Sequence, residues 1–325
     1  MENLDNQENT KVTLINNVTS VILLGLSDLQ CFKFPFFSLL VLIYCATISG
    51  NLLIIALYLL SKTLQSPMYF FITQLSIFDV LLTTDIVPVL LSTVLYGGSS
   101  MTLIGCITQF AIFVMLEASE CLLLSVMSYD RHVAICNPLR YNSIMTCWFC
   151  VISVNLIWFL GFLVMLMYVI SIYSLHFCGP HIIDNFFCDF KPIMQLSCSD
   201  TTIIYIEILI IGALNGFCPF IIIVVSYVSI VITILKIPSN TGRHKAFSTC
   251  SSHLIVVSIL YGTLLIVYLF PIREKSLLLS KILSLSYTVL TPLLNPIIYT
   301  LRNKDFKEAY HKIRHDIRSG HDGLL

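Results

Sequence analysis

The sequence predicts an all-α membrane protein whose chain crosses the bilayer seven times. Of its 325 residues, 57% are hydrophobic and only 11% are charged, whereas soluble domains carry about 25% charged residues. The apolar residues form long runs without the apolar/polar alternation of barrel strands, and in hydrocarbon only helices and closed barrels pair every backbone group. A soluble fold could not bury this much apolar surface. The formal net charge of +0 implies no bulk electrostatic attraction to nucleic acid.

Seven runs reach the length of about 20 apolar residues that a spanning helix needs. We predict spans at 36–60, 68–95, 101–128, 148–173, 202–235, 246–270 and 282–301. Accordingly, 1–35 is an extracellular N-terminal segment, 36–301 is the membrane domain and 302–325 is a cytoplasmic tail. Prolines inside the spans predict kinks, because each removes a backbone donor; they are Pro88, Pro219, Pro292 and Pro296.

The orientation follows from the lysines and arginines. They are concentrated after the first, third and fifth spans and in the C-terminal segment, which places the C-terminus in the cytoplasm and the N-terminus outside. Asn17 begins an Asn-Val-Thr glycosylation motif on the side assigned as extracellular. No basic segment followed by an apolar core precedes it, so we expect the first span to direct insertion into a multi-pass cell-membrane topology.

Five of the cysteines are predicted to lie outside, where disulfides persist. Cys31 stands alone before the first span, and we leave it unpaired. The other four allow three pairings; they are Cys106, Cys178, Cys188 and Cys198. Their loop lacks a Cys-x-x-Cys pair, which disfavours a zinc site.

Several local motifs occur together in a fixed order. They are Gly50-Asn51, Pro67-Met68-Tyr69-Phe70-Phe71, Met127-Ser128-Tyr129-Asp130-Arg131, Ser226-Tyr227, Lys245-Ala246-Phe247-Ser248-Thr249-Cys250 and Asn295-Pro296-Ile297-Ile298-Tyr299. From Gly25 to about Lys312 the chain resembles the vertebrate olfactory receptor family, within the rhodopsin-like (class A) G-protein-coupled receptors. The resemblance implies a seven-helix bundle followed by a short amphipathic helix. It also implies a non-enzymatic receptor that binds a small odorant and activates a stimulatory, olfactory-type G protein to raise cAMP.

Carboxylates inside membrane spans are costly unless they are paired, hydrated or protonated, so they are functional candidates. The resemblance places Asp79 and Glu120 side by side at a sodium and water site, completed by Asn51 and Asn295. The alternative is a packing network of protonated acids without an ion.

The resemblance also implies a ligand pocket one turn outward of that site. Glu117 is three residues from Glu120 and therefore on the same helix face. It would favour a cationic or hydrogen-bonding odorant, unless it is protonated and bonded to a neighbouring helix. Tyr261 would form the pocket floor. The other predicted pocket positions, each of which could instead serve helix packing, are Phe113, Val114, Ala118, Ile211, Asn215, Leu264 and Tyr268.

At the cytoplasmic end, the resemblance implies that Asp130 holds Arg131 in the resting state. Activation would release Arg131 toward the G protein and Tyr227. His132 replaces the usual Tyr, which puts a pH-independent coupling in doubt. Asn295, Pro296 and Tyr299 are predicted to form a hinge in the seventh span. Of the three disulfide pairings, we predict Cys106–Cys188 and Cys178–Cys198.

Other function classes fit less well. A transporter or channel predicts inverted repeats or paired broken spans, and neither is found. A membrane enzyme predicts a motif such as His-Glu-x-x-His or a Gly-x-Ser-x-Gly elbow, and neither occurs. A chemosensory receptor of the same fold that is used outside the olfactory epithelium stays open.

Overall fold

A computed structural model describes residues 18–26, 32–269 and 277–322. We number the long helices in chain order. They are α1 Lys33–Leu60, α2 Pro67–Tyr96, α3 Leu103–Cys136, α4 Cys147–Tyr173, α5 Thr202–Leu235, α6 Asn240–Leu269, α7 built from Leu277–Leu285 and Thr291–Arg302, and α8 Lys304–Asp322. Within the described residues, six of these are long and apolar enough to cross a membrane, and α6 contains a shorter apolar stretch at Cys250–Ile266. The predicted helix bundle is therefore present. Most boundaries shift by a few residues, while α3 continues past the predicted end of the third span to Cys136.

Helix α7 is irregular in its middle. A π-helical turn, Ser286–Leu290, joins its two segments, and Pro292 lies at the start of the second one. Pro292 has no amide hydrogen, so the regular α-helical ladder is interrupted here. Thr291 Oγ1 donates to the Ser286 carbonyl at 3.1 Å. The Pro292 carbonyl, which cannot receive an amide proton from Pro296 four residues on, accepts from Asn51 Nδ2 at 3.1 Å. This arrangement fixes the turn in the bundle.

Helix α3 is the axis of the bundle. It packs against α2, α4 and α5. In its most apolar 18-residue stretch 67% of the residues are buried, compared with 22% in the corresponding stretches of α1 and α4. The approach to α4 is close, because a Cβ added to Gly161 would lie only 2.2 Å from Ser119 Oγ. Helices α1, α4 and α5 consequently present broad apolar faces outward, as a lipid solvent requires.

A small sheet and two disulfides cover one end of the bundle, which we call the sheet end. Strand β1 (Ser20–Leu23) pairs antiparallel with β2 (Ser99–Thr102) and parallel with β3 (Ile182–Ile183). The predicted Cys106–Cys188 disulfide is confirmed, and Cys178 is bonded to Cys198. Cys188 ties the loop between α4 and α5 to the start of α3, so this loop lies over the helices. The strands were not predicted from the sequence.

A buried lysine joins three parts of the sheet end. Lys281 on α7 is 5% exposed. Its ammonium donates to Asp184 Oδ1 at 2.5 Å and to the Gly25 carbonyl at 2.8 Å. The segment after β1, the loop after β3 and α7 therefore share one cation.

Helix α8 is anchored at the opposite end, which we call the Arg131 end. Phe306 is 1% exposed and meets the Tyr69 ring edge-on at 5.1 Å. The Tyr69 hydroxyl donates to Asp305 Oδ2 at 2.5 Å. These contacts hold the predicted amphipathic helix against the beginning of α2.

Candidate ligand and signalling sites

Polar side chains from four helices meet in the centre of the bundle. Asn295 Nδ2 on α7 donates to both carboxylate oxygens of Asp79 on α2, at 3.1 Å each. Glu120 on α3 faces the same Asn295 amide. Asn51 on α1 donates to the Thr47 carbonyl at 3.0 Å. Asn51, Asp79, Glu120 and Asn295 are each at most 2% exposed, so the predicted polar network is brought together in the protein interior.

The oxygen atoms of this network suit a small hard cation. Glu120 Oε1, Asn51 Oδ1 and Asn295 Oδ1 are buried without a hydrogen-bond partner among the described residues, and hard cations prefer oxygen ligands. Two carboxyl groups with amide oxygens are a donor set for sodium. Transition-metal sites usually use three or more His, Cys, Asp or Glu side chains. The described residues contain no such cluster. A shared proton would satisfy the same carboxyl groups, so the sodium site at Asp79 and Glu120 stays a prediction.

Aromatic side chains line the region where the pocket was predicted. Phe113 on α3 contacts Phe187 of the loop between α4 and α5, with ring centroids 5.3 Å apart, and Tyr287 of the π turn at 6.1 Å. Tyr261 on α6 packs against Phe220 on α5 at 5.0 Å, and its hydroxyl lies beside the Cys121 thiol. The loop and α7 therefore contribute to the wall around Phe113.

The remaining predicted pocket residues differ in burial. Ala118 is buried, while four others are half-buried: Val114, Ile211, Asn215 and Leu264. The side chain of Tyr268 lies outside the described residues, as does Asn17 of the glycosylation motif. Sequence reasoning missed Phe187 and Tyr287. A signal existed for Phe187, because it immediately precedes the cysteine that is tied to α3.

The carboxyl group of Glu117 on α3 is enclosed in the bundle. Both of its carboxyl oxygens are buried and lack a hydrogen bond among the described residues. Glu120, one turn further along α3, is close enough to interact with it electrostatically. A buried polar group without a partner is costly. A hydrogen bond from Glu117 to a neighbouring helix is therefore not seen among the described residues, and its ligand-binding role stays a prediction.

A separate cavity of about 530 Å³ lies at the sheet end. It is lined by Val18, Leu103, Leu175, His176, Phe177, Cys178, Cys198 and Ser199. None of the predicted pocket residues whose side chains are described lines it, so it is distinct from the region around Phe113 and Glu117.

Arg131 is enclosed at its own end of the bundle. Its guanidinium donates two hydrogen bonds to Asp130 Oδ2, the one from Nε being 2.8 Å long. Tyr141, in the short helix Tyr141–Ile144, donates its hydroxyl to Asp130 Oδ1 at 2.8 Å. Burial and the Asp130 carboxylate raise the pKa of Tyr141, so the phenol remains a donor. The predicted Asp130–Arg131 pair thus has a third member that the sequence did not indicate.

Tyr227 on α5 is bound to α6 rather than to Arg131. Its hydroxyl shares a 2.7 Å hydrogen bond with His253 Nδ1, and the two rings stack with centroids 5.8 Å apart. Tyr299 on α7 is 5% exposed, and its hydroxyl has no hydrogen-bond partner among the described side chains. The ring of His132 stacks on the ring of Tyr129, with centroids 6.4 Å apart. Sequence reasoning missed the role of His253, although a histidine is unusual in an apolar span.

Comparisons with known proteins agree with this arrangement. Residues 40–316 match the family described as olfactory receptor. The chain is 44% identical to olfactory receptor 10C1 of Homo sapiens over 90% of its length and 94% of the relative. It is 42% identical to olfactory receptor 5AP2 of Mus musculus, with 92% and 94% covered, and 43% identical to the olfactory receptor-like protein COR4 of Gallus gallus, with 91% and 95% covered. The chain therefore belongs to the olfactory receptor family of non-enzymatic, multi-pass G-protein-coupled receptors.

Proposed function

We propose that this receptor binds a small volatile or water-borne molecule between the helices near Glu117 and activates a stimulatory, olfactory-type G protein that raises cAMP. In this proposal the sheet end and the N-terminus are extracellular, and the Arg131 end is cytoplasmic. The lysines and arginines of the sequence support that orientation. The chain carries out no covalent chemistry, and its output is a change of conformation.

The observation that carries the proposal is the enclosure of Arg131. Asp130 holds the guanidinium, Tyr141 holds Asp130, and Arg131 is only 7% exposed. A G protein that docks at this end would find the cation already paired. The enclosed pair supports a resting state, and in this proposal activation opens it.

A second contact keeps the neighbouring helices together. Tyr227 is held by His253 across α5 and α6, so it is not available to Arg131. Separation of the two helices would break this hydrogen bond and free the Tyr227 hydroxyl. A ligand shifts such an equilibrium only through different affinities for the closed and open states.

The interior polar groups connect the pocket with the Arg131 end. Glu117 lies near Glu120, Glu120 faces Asn295, and Asn295 is bonded to Asp79. Asn295 and Tyr299 lie on successive turns of α7. A ligand that displaces Glu117 or the Tyr287 ring would act on this network, and the unpaired Tyr299 hydroxyl can accept a new partner.

Replacing Arg131 by Ala tests the coupling directly. We expect the ligand-driven cAMP signal per receptor at the cell surface to disappear, and the surface amount itself to fall in part, because Asp130 is left buried without its cation. The measurement is cAMP in cells exposed to a panel of diverse volatiles, with surface receptor quantified in the same cells. Arg140→Ala is the matched control, because Arg140 is exposed beyond α3. A cAMP response of normal size in Arg131→Ala contradicts the coupling proposal.

Glu117→Gln tests the ligand class. If Glu117 pairs with a cationic odorant, the variant should need roughly tenfold more of an amine for half-maximal cAMP, because a buried charge pair is lost. Responses to neutral odorants should change less. Glu207→Gln is the control, since Glu207 lies on an exposed face of α5. Unchanged amine responses in Glu117→Gln would rule out a cationic ligand at this position.

A further inference from the structure

Two cysteines without a role in the proposed signalling lie together at the start of α4. The sequence Cys147-Trp148-Phe149-Cys150 is a Cys-x-x-Cys motif, and both of its thiols are free. Residues three apart on a helix share one face. Tyr58, at the end of α1, is close enough to both thiols to interact with them electrostatically. The two cysteines therefore form one cluster, which we call the α4 dithiol.

The two thiols differ in exposure. Cys147 is exposed, whereas Cys150 is only 4% exposed. A small oxidant can thus reach the first sulfur directly but not the second. An accessible cysteine with a second cysteine beside it is the usual arrangement of a redox-sensitive site, in which the second thiol resolves the oxidised form of the first.

The start of the helix permits a bond between them. Thr146 is the N-cap and accepts a hydrogen bond from the Phe149 amide at 3.2 Å, so Cys147 is the first helical residue. Its amide hydrogen lies outside the helical ladder, which leaves its backbone free to adjust. Cα atoms three residues apart in a helix are about 5 Å apart, within the range of about 4.4–6.8 Å that disulfides span.

The buried thiol adjoins the Arg131 end. Cys150 is close enough to Asp130 and to Tyr141 for electrostatic interaction with each, and these two residues are bonded to each other at 2.8 Å. A change at Cys150 therefore takes place beside the contact that holds Asp130. The α4 dithiol is a neighbour of the coupling site without being part of it.

A metal ion fits the α4 dithiol poorly. Structural zinc sites take four ligands, and the part of the chain that the structure describes holds no group of three or more His, Cys, Asp or Glu side chains that could bind a metal. Two thiols alone are sufficient for a disulfide.

We propose that the α4 dithiol is a redox modification site, which hydrogen peroxide converts reversibly into a Cys147–Cys150 disulfide. The Cys147 sulfur attacks one peroxide oxygen, the O–O bond breaks, and a sulfenic acid and one water form. The Cys150 sulfur then attacks the sulfenic sulfur, the S–S bond forms, the S–O bond breaks, and a second water leaves with the thiol proton. The two sulfurs lose two electrons in total, and the peroxide is reduced to water. A soluble dithiol restores both thiols by exchange.

The proposal rests on the cytoplasmic orientation given above, because that compartment keeps thiols reduced at rest. Maleimides added to intact cells test this premise separately. A membrane-permeant maleimide should label Cys147, and an impermeant one should not. Labelling by the impermeant reagent would contradict the orientation, and with it the proposed reduced resting state, whatever the result of the oxidation experiment.

The main experiment uses the purified full-length receptor in nanodiscs, with neither odorant nor G protein. Receptor treated with hydrogen peroxide is blocked with N-ethylmaleimide, reduced with dithiothreitol and labelled with isotopically heavy N-ethylmaleimide. We expect mass spectrometry to find heavy label on Cys147 and Cys150 of the same peptide, and light label on both when the peroxide is omitted. Cys136→Ser is the matched control, because it removes a half-buried free thiol of α3 and should leave this pattern unchanged.

Single variants separate the roles of the two sulfurs. In Cys150→Ser the sulfenic acid on Cys147 has no resolving thiol, so dimedone should trap it there. In Cys147→Ser no adduct should form on the buried Cys150, and heavy label at that residue should fall to background. Cys147 is exposed, so its replacement by the smaller, similar serine should not impair folding.

A test on the wild type needs no variant. Phenylarsine oxide bridges two neighbouring thiols through its trivalent arsenic. It should protect Cys147 and Cys150 together from N-ethylmaleimide, and excess dithiothreitol should reverse the protection. Protection of neither thiol would show that the two sulfurs cannot meet, and would overturn the proposal even if a variant failed to fold.

Three further results contradict it. Light label on both cysteines after peroxide shows that no disulfide forms. Heavy label on Cys147 alone shows a mixed disulfide with another thiol. A Cys147 that reacts with maleimide only after hydroxylamine treatment carries an acyl group, so it would not be available for the proposed oxidation.

Discussion

Receptor carrying Cys188→Ala is expected to lose most of its folded population at the cell surface. The Cys106–Cys188 disulfide closes a loop with a sequence separation of 82 residues, and losing such a bond costs about 2–5 kcal/mol. Cys188, Phe186 and Phe187 are all 0% exposed, so the loop that covers the proposed ligand region would lose its anchor. Surface immunostaining of a tagged receptor, normalised to total expression, measures the effect.

Two variants control this prediction. Cys106→Ala should lower surface expression as much as Cys188→Ala does. The double variant should lower it no further, because all three variants remove the same bond. Cys218→Ala removes an exposed free cysteine of α5 and should leave surface expression unchanged. Near-normal surface levels of Cys188→Ala would show that the loop is held by its other contacts.

The second large effect is expected at Lys281. Asp184→Asn should destabilise the receptor by about 2 kcal/mol, because it leaves the buried ammonium with only neutral acceptors such as the Gly25 carbonyl. Lys281→Met should cost less. It removes the buried charge itself, and Asp184, with its side chain 44% exposed, can then be solvated by water. The prediction is thus that Asp184→Asn lowers the stability of the receptor more than Lys281→Met does.

Thermal unfolding of the purified receptor in nanodiscs tests this order. The double variant Asp184→Asn/Lys281→Met should resemble Lys281→Met alone, since no buried cation remains to be paired. Lys191→Met, at an exposed lysine of the same loop, serves as the control. A melting temperature that falls more in Lys281→Met than in Asp184→Asn would contradict the assignment of Lys281 as the costly buried charge.

Much of the bundle could be predicted because hydrocarbon leaves the backbone few choices. Apolar runs of sufficient length must be helices, and the predicted 202–235 agrees with α5 to the residue. The sheet end could not be predicted in this way. Strands β1 to β3 have only two to four residues each, and no periodicity is detectable over such lengths. The Cys106–Cys188 disulfide brings the segments of β2 and β3 close together, and β1 pairs with both of them.

The polar sites were predictable in part. Asp79 and Glu120 were found because a carboxylate inside a span is conspicuous, and Asp130 because it lies beside Arg131. Their additional partners were not found. Tyr141 and His253 reach Asp130 and Tyr227 across the packing of separate helices, and one sequence does not reveal which faces meet.

The unequal burial of the helices has a consequence for how such a receptor can change. A methyl group gained or lost on the outward faces of α4 or α5 meets fluid lipid, which adapts to either shape. The same change on α3 meets side chains of the proposed ligand region, the polar network or the Arg131 end, because one helix passes through all three. The position of a substitution around the bundle, more than its chemistry, therefore determines whether it changes the contact with lipid or the response of the receptor.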